Sequence, residues 1–305
     1  MSMGTGPMTT TQNAAWIPEV IANESLGALA ANLQLGQTVS KDSELTAVRV
    51  GQTISIPRRG TIVAQQKAQG TATSVQRPTA DDVQVTIDQH WYVKLLEEDF
   101  TRSMQTGSVL PGYLQDAVIA LAEKIETHLT GNFDEFDNID FTSGGSDTAL
   151  KALGRVREQM VLNKVPKLMQ KFGYISPEFA RFLGEDNAFI DPKLIPNNQA
   201  LTEGAVGRAK GFDLFEGQLV PTSGSPAWDQ NFFYTKYALV LASRPLLQPD
   251  RALGVDATTV QSDAGLALRL VRYYDGDEMG VVVQLDTVFG SGVNDERQGY
   301  VLESK

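Results

Sequence analysis

The stretch GYLQDAVIALAEKIETHLTG, residues 112–131, carries the clearest pattern in the chain. Its apolar residues recur at helical spacing, and charged residues fall between them. Pro111 precedes the pattern and Gly131 ends it, as is common at helix boundaries. The pattern predicts a helix of about 30 Å, long enough to be the spine of a domain. The predicted buried stripe is Leu114, Val118, Leu121, Ile125 and Leu129, and the residues predicted to face outward are Asp116, Glu123, Lys124 and Glu126.

Strand and helix patterns are mixed along the rest of the chain, without internal repeats or the regular alternation of parallel α/β proteins. The sequence therefore predicts an α+β fold. A second helix is predicted at about 147–163. The other predicted elements are a strand, a turn at Ser176-Pro177 and a short helix in 171–183; a strand pair around Gly211 in 207–221; one strong strand in 232–245; and C-terminal strands separated by Asp275-Gly276 and Gly290-Ser291-Gly292.

The N-terminal region joins a polar segment to an amphipathic one. Residues 1–15 are rich in Thr, Met and Gly. The next stretch, WIPEVIANESLGALAANL, has apolar residues near helical spacing, with Pro18 in its first turn and Gly36 beyond its end. A short amphipathic helix needs an apolar surface to lie on, so we expect this one to pack against such a surface.

Residues 45–95 have the pattern of a long, exposed β-ribbon. Apolar and polar residues alternate over 45–65, small polar residues fill 66–81, and a strand pattern then returns with Val83, Val85 and Ile87 on one face. The middle of this ribbon has too few apolar residues for a core of its own. An isolated two-stranded ribbon is marginal in water, so we expect it to pack on another subunit.

The charge is distributed unevenly along the chain. The formal net charge is −11, yet residues 45–80 contain five basic residues and no acidic one. This basic segment is predicted to bind an acidic ligand or to lie across a neighbouring copy of the chain. Its basic residues are Arg49, Arg58, Arg59, Lys67 and Arg77.

The sequence offers little that could carry out chemistry. It has no cysteine and two histidines, His90 and His128, neither at metal-ligand spacing with another ligand. We therefore expect no cofactor, no metal and no enzymatic activity, and a hydrogen-bonded structural role for both histidines. The carboxylate clusters at 97–99 and 134–137 are interpreted as solvated faces or intersubunit ion pairs. No stretch is apolar enough to span a bilayer and no signal peptide is evident.

Several segments, in order, resemble the major capsid proteins of tailed double-stranded-DNA bacteriophages. WIPEVIANESLGALAANLQLGQTVSKD is similar to that family's N-terminal arm. VGQTISIPRRGTI and VTIDQHWYVKLLEEDF are similar to the two strands of its extended loop. GYLQDAVIALAEKIETHL is similar to the spine helix, and GRAKGFDLFEGQLVP to a strand pair of the axial domain. The resemblance covers nearly the whole chain, although no single motif is as specific as a catalytic signature.

The resemblance implies a Hong Kong 97-like fold and a structural role. It implies an arm at 1–44, an extended loop at 45–95, a peripheral domain at 96–175 and 265–305, and an axial domain at 176–264. Arm and loop would reach over neighbouring subunits in pentamers and hexamers of an icosahedral capsid. The residues predicted to make these contacts are Trp16, Ile17, Val20 and Ile21 of the arm, and Arg49, Arg58, Arg59, Lys67 and Arg77 of the loop.

The resemblance also implies partners and a location. The chain would bind copies of itself, a separate scaffolding protein, a portal and possibly a decoration protein, and it would touch packaged DNA weakly. It would be assembled in the host bacterial cytoplasm and reside in the virion. Two alternatives stay open from the sequence: an encapsulin-like shell enclosing cargo enzymes, and a soluble oligomeric enzyme or binding protein.

Overall fold

The computed structural model describes most of the chain after residue 32. The described ranges are 33–41, 53–59, 80–104, 110–141, 147–185, 207–224, 227–249, 256–261 and 266–304, together with Ser25, Leu29 and parts of 62–77.

Helices and strands alternate irregularly along these ranges. The helices are α1 (Leu35–Thr38), α2 (Asp99–Met104), α3 (Leu110–Thr130), α4 (Ala149–Leu162) and α5 (Pro177–Glu185), with single 3-10 turns at Phe133–Glu135 and Glu296–Gln298. The strands are β1 (Ser40–Lys41), β2 (Thr53–Arg59), β3 (Ala80–Thr86), β4 (Gln89–Glu98), β5 (Asn138–Phe141), β6 (Lys171–Ile175), β7 (Arg208–Ala209), β8 (Phe212–Glu216), β9 (Thr222–Ser223), β10 (Trp228–Thr235), β11 (Leu239–Arg244), β12 (Asp256–Gln261), β13 (Ala267–Asp275), β14 (Gly280–Val293) and β15 (Gly299–Ser304).

In the described part of the chain these strands form three sheets. The first sheet has the order β1-β11-β14-β13-β12, and β4 also pairs with β14. The second has the order β5-β15-β10-β6-β8-β7, and β9 also pairs with β10. The third is the two-stranded ribbon of β2 and β3. Sheets that mix parallel and antiparallel pairs beside separate helices confirm the predicted α+β class.

The spine helix is the predicted one, α3, and it lies at the centre of the main core. All five residues of its predicted stripe are buried there. One face of the second sheet contributes Phe232 and Tyr234 to the same core, and the first sheet contributes Leu285 and Phe289. One helix face therefore joins both sheets.

The second sheet is covered on both faces. Phe232 and Tyr234 of β10 point to the spine helix, whereas Phe233 between them points to a second core beneath α4 and α5. The run of consecutive apolar residues in β10 reflects this position, because a strand buried on both faces has no polar side.

Two local predictions from the sequence are wrong. Glu126, predicted to face outward from the spine helix, is buried. The stretch 232–245 is two strands, because the chain turns at 236–238 and passes from the second sheet to the first. The break contains neither Gly nor Pro, so the apolar pattern looked continuous.

Gly290-Ser291-Gly292 is also not a turn, since all three residues lie inside the fourteen-residue strand β14. The reason is a close approach of two backbones. A Cβ atom on Gly290 would lie 2.1 Å from the carbonyl oxygen of Thr86 and 2.9 Å from the Cα of Ile87. Glycine within a strand often marks such an approach. Here the glycine lets the backbone at the base of the ribbon pack closely against the first sheet.

The ribbon is anchored to its own subunit at this point. Ile54 of β2 and Val85 of β3, with Ile87 just beyond, are buried against Val240 and Ala242 of β11. The base of the ribbon thus packs on the body of the same chain, and the packing of its outer part on another subunit stays a prediction.

The division into peripheral and axial domains stays a prediction. The second sheet joins β6 and β15, from the ranges predicted as peripheral, with β8 and β10 from the range predicted as axial. The chain passes between the sheets several times, so linear boundaries do not follow the sheets.

We predict that Gly290→Ala lowers the free energy of unfolding of the unassembled subunit by about 2–3 kcal/mol, because the new methyl group would overlap the ribbon backbone. Chemical denaturation measures this loss. Gly154→Ala in α4 is the control, since nothing lies within 4 Å of its added Cβ and alanine favours a helix. Equal stability of Gly290→Ala and wild type would contradict the close approach.

Candidate assembly surfaces

The residues predicted to make subunit contacts fall in different parts of the structure. Trp16, Ile17, Val20, Ile21 and Arg49 lie outside the described residues.

The other four predicted contact residues belong to the ribbon. Arg58 and Arg59 lie near the outer end of β2, where the register places Arg58 opposite Asp81 and Arg59 opposite Ala80. Lys67 and Arg77 lie in the connection beyond the two strands, and both are exposed.

The outer part of the ribbon leaves apolar side chains uncovered. Ile62 is 71% exposed and Val75 is 87% exposed, in contrast to the buried residues at the ribbon's base. An exposed segment that mixes such residues with cations is typical of a surface that binds a partner.

The inner end of the predicted arm belongs to the subunit's own core. Leu29, Leu33, Leu35 and Val39 are at most 1% exposed and pack in the core around the spine helix. Ser40 and Lys41 then pair in parallel with Val240 and Leu241 of β11. We call residues 33–41 the arm root. The sequence analysis expects the arm helix to pack on an apolar surface. For the inner end of the arm, that surface is the spine helix of the same chain.

A buried carboxylate fixes the arm root to the spine helix. The backbone N–H of Leu35 donates to Oε1 of Glu126 at 2.8 Å, and the backbone N–H of Gln34 donates to the same oxygen. On the other side, the hydroxyl of Tyr174 donates to Oε2 of Glu126 at 3.4 Å. Glu126 therefore links the arm root, the spine helix and the second sheet.

Burial dominates the electrostatics of this contact. It raises the pKa of Glu126 above its ordinary value, although the hydrogen bonds from Gln34, Leu35 and Gly36 oppose the shift. Burial, with the nearby Glu126 carboxylate, also raises the pKa of Tyr174. Tyr174 therefore stays a neutral hydrogen-bond donor at any physiological pH.

Both histidines have structural partners. His128 Nδ1 lies 2.6 Å from Ser291 Oγ, and its ring meets Phe289 edge-on. Burial lowers the pKa of His128, which favours its neutral form. His90 Nε2 lies 3.6 Å from Asp286, a fully buried carboxylate that Arg269 holds through two hydrogen bonds. Among the described residues, no three potential metal ligands are grouped.

One end of the first sheet carries a patch of carboxylates mixed with exposed apolar residues. Strand pairing places the end of β4 beside the turn between β13 and β14, and the backbone N–H of Asp99 donates to the carbonyl of Met279. We call this patch the acidic end surface. Its carboxylates are Glu97, Glu98, Asp99, Asp275, Asp277 and Glu278, and its exposed apolar residues are Leu96, Phe100, Tyr274 and Met279.

Sequence reasoning found only half of the acidic end surface. The cluster at 97–99 was visible, but its neighbours at 275–278 are remote in sequence and join it only through pairing with β14. The second predicted cluster is partly a structural contact, because Asp134 accepts a hydrogen bond from Gln230 at 2.7 Å.

In the described chain, no helix combines the length and the apolar character that a bilayer crossing requires.

Solved structures share this fold at low sequence identity. A chain from Mycobacterium phage Che8 matches with a TM-score of 0.65 and 17% identity, over 87% of this chain and 88% of that one. A chain from the capsid of cyanophage P-SCSP1u matches with a TM-score of 0.63 and 14% identity, over 88% and 86%. A chain of the virus-like particle from Pyrococcus furiosus matches with a TM-score of 0.52 and 11% identity, over 93% and 98%.

No protein-family model matches the sequence, and neither does any curated protein. The structural matches nevertheless cover nearly the whole chain. They show an α+β capsid fold of the Hong Kong 97-like class, which confirms the fold inferred from the sequence.

We predict that Glu126→Ala lowers the free energy of unfolding of the unassembled subunit by about 3 kcal/mol, because it leaves buried N–H groups without an acceptor. Glu126→Gln should cost far less, since the amide oxygen can accept the same bonds. Denaturant unfolding of both variants measures the difference. Equal losses in the two variants would contradict the hydrogen-bonding role.

The same pair of proteins tests the raised pKa of Glu126. Between the pKa of an unfolded glutamate, about 4.3, and the higher folded pKa, the native state holds more protons than the unfolded state. Wild-type stability should therefore fall as the pH rises through this window. The fall should be smaller in Glu126→Gln. Parallel pH profiles for the two proteins would contradict the shift.

Proposed function

We propose that this chain is a structural subunit that assembles into pentamers and hexamers of an icosahedral phage capsid enclosing double-stranded DNA. The observation that carries the proposal is the match of nearly the whole chain to capsid chains such as that of cyanophage P-SCSP1u. No catalytic role is proposed.

The surface of the subunit supports this role. The ribbon is anchored at its base by Ile54, Val85 and Ile87, whereas Ile62 and Val75 beyond it are exposed. A segment that is fixed at one end and uncovered at the other is suited to reach across a neighbour. The root of the arm is likewise fixed, because it is buried in the core around Leu33 and Leu35.

The ribbon's target on the neighbour is proposed to be the acidic end surface. The ribbon segment 45–80 has five basic residues and no acidic one, and the end surface has six carboxylates. Each side also offers exposed apolar residues, so the contact combines charge with burial. Exposed ion pairs contribute roughly 0–1 kcal/mol each, but a closed shell repeats them in every subunit.

The expected partners follow from this role. The chain would assemble with copies of itself, a scaffolding protein, a portal and any decoration protein, in the cytoplasm of a bacterial host. Its net charge of −11 supports weak, nonspecific contact with packaged DNA.

A second candidate function is an encapsulin-like shell that encloses cargo proteins. The match to a virus-like particle chain from Pyrococcus furiosus favours it, although that TM-score of 0.52 is lower than those of the phage chains. Expression beside the neighbouring genes, followed by analysis of particle contents, separates the two: DNA supports the phage capsid and a copurifying enzyme supports the alternative.

The first experiment is to express the chain alone and with scaffold candidates, then measure particle size by gel filtration and negative-stain microscopy. Shells, tubes, or rings of five or six subunits are expected. A monomer or dimer under every condition would overturn the proposal.

We predict that Arg58→Glu combined with Arg59→Glu leaves the subunit folded but stops shell closure, because it reverses the charge at the outer end of β2. Circular dichroism checks the fold and microscopy checks the shells. Lys67→Glu combined with Arg77→Glu, in the connection beyond the strands, should likewise leave the subunit folded and stop shell closure. The control is Lys236→Glu with Arg272→Glu, an equal charge change at exposed residues of the body. Normal shells from both ribbon variants would contradict the ribbon contact.

We predict that two truncations of the arm have different effects. Removing residues 1–24 should impair assembly while leaving the melting temperature nearly unchanged. Removing residues 1–35 should also destabilise the subunit, because it deletes the buried Leu29, Leu33 and Leu35, each worth about 2–5 kcal/mol. Normal assembly after removal of 1–24 would show that the outer arm makes no essential contact.

A further inference from the structure

A second basic segment lies in the body of this acidic chain. Residues 148–177 contain six basic residues and a single acidic residue, Glu158. The basic residues are Lys151, Arg155, Arg157, Lys164, Lys167 and Lys171. The same charge count that singled out 45–80 would have revealed this segment.

The fold gathers five cations at one edge of the second sheet. The guanidinium of Arg157 on α4 donates to the backbone carbonyl of Lys210 at 2.9 Å, which joins the helix to the turn between β7 and β8. Lys171 begins β6, paired with Phe212 just after that turn. Lys164 and Lys167 lie in the connection from α4 to β6. We call Arg157, Lys164, Lys167, Lys171 and Lys210 the basic edge.

The charges of the basic edge are not neutralised by nearby carboxylates. The ion pairs among described residues include none of these five cations. The Asp213 carboxylate, the nearest acidic group along β8, is already engaged by Arg208 and Gln170. The proximity of Arg157 even contributes to a lowered pKa of Lys171, after the larger effect of burial. These cations are therefore available to an external partner.

The backbone at two of these positions points to a role for the lysine side chains. Lys164 has a φ of 60° and Lys210 a φ of 49°, in the left-handed region that glycine or asparagine adopts most easily. Lysine adopts this conformation less readily than glycine because its Cβ approaches the following carbonyl oxygen, and both side chains are exposed. Packing within the subunit does not account for either lysine.

Exposed apolar residues lie among the cations. Leu168 is 101% exposed, and Val161 and Leu162 at the end of α4 are at least half exposed. Leu168 directly follows Lys167, and the turn that contains them is closed by a hydrogen bond from the N–H of Met169 to the carbonyl of Pro166. The basic edge therefore includes exposed apolar residues, which binding to a phosphate backbone does not require.

We propose that the basic edge, with Val161, Leu162 and Leu168, is a docking surface for an acidic face of a second copy of this chain. Copies with a charge of −11 repel one another, and the basic edge supplies local attraction that opposes this repulsion. The apolar residues become buried in the contact. The inference rests on the proposed shell function and places a contact outside the arm and ribbon.

The test uses charge reversal in the full chain. Lys164→Glu with Lys167→Glu should raise the concentration needed for assembly about tenfold, with the subunit's melting temperature unchanged. The control is Lys124→Glu with Arg272→Glu, at exposed residues of the spine helix and the first sheet, which increases the net negative charge equally. If this variant assembles at the same concentration as the wild type, under conditions in which the wild type forms particles, the docking surface is overturned and the proposed shell function is not. Failure of the wild type to assemble would instead count against the shell function.

A neutral variant separates the apolar contribution from charge. Leu168→Ser should leave the unassembled subunit as stable as wild type, because this side chain is fully exposed there, yet it should weaken assembly severalfold. Normal assembly of both this variant and the charge-reversed one would overturn the proposal.

Crosslinking identifies the occupant directly, since the chain has no cysteine of its own. The cysteine of the Leu168→Cys variant is labelled with a photoreactive maleimide. Particles are then assembled from a mixture of labelled and unlabelled subunits. Crosslinks from residue 168 to an acidic peptide of another copy are expected. Crosslinks only to DNA would overturn the proposal in favour of a nucleic-acid surface, and particles without intersubunit crosslinks from this position would overturn it as well.

Discussion

The buried stripe of the spine helix contacts the arm root, the first sheet and the second sheet in one continuous core. Leu285 and Phe232 reach this core from different sheets, and Leu35 reaches it from the arm root. The Glu126 carboxylate adds a directional hydrogen-bonded link at the same place. Because the sheets, the arm root and the helix share one apolar core, the position of the helix decides how both sheets and the arm root are placed relative to one another.

The ribbon is packed against the body at its base, and its described outer residues are exposed. The ribbon is fixed where Gly290 lets its backbone approach the first sheet, and Val85 is buried there, while Ile62 farther out is exposed. A fixed base limits the conformational entropy lost when the outer part docks. The same physical division, a packed root and an uncovered extension, makes the fold suited to assembly.

Charge separates the surfaces in the same way. The acidic body carries two basic regions, the ribbon segment 45–80 and the basic edge around Arg157 and Lys210. Exposed ion pairs are weak and screened by salt, so in the proposed shell each contact could break and re-form before closure. Many such contacts would act together once that shell closes. Attraction confined to a few surfaces also disfavours indiscriminate aggregation of copies that otherwise repel.

The sequence by itself determined the helix stripe, the α+β class, the ribbon strands and the basic ribbon segment, because each depends on periodicity or charge within a short stretch. Tertiary structure alone decided the rest. Glu126 is charged and its position in the pattern predicts exposure. It is buried, and backbone N–H groups from a segment about ninety residues away supply the hydrogen bonds that offset its desolvation. The local pattern predicts a turn at Gly290, yet it is a strand residue, and the ribbon backbone lies 2.1 Å from the position of an added Cβ atom, far inside van der Waals contact distance. Such features depend on contacts between segments that are distant in the sequence, and the local residue pattern does not indicate which segments make contact.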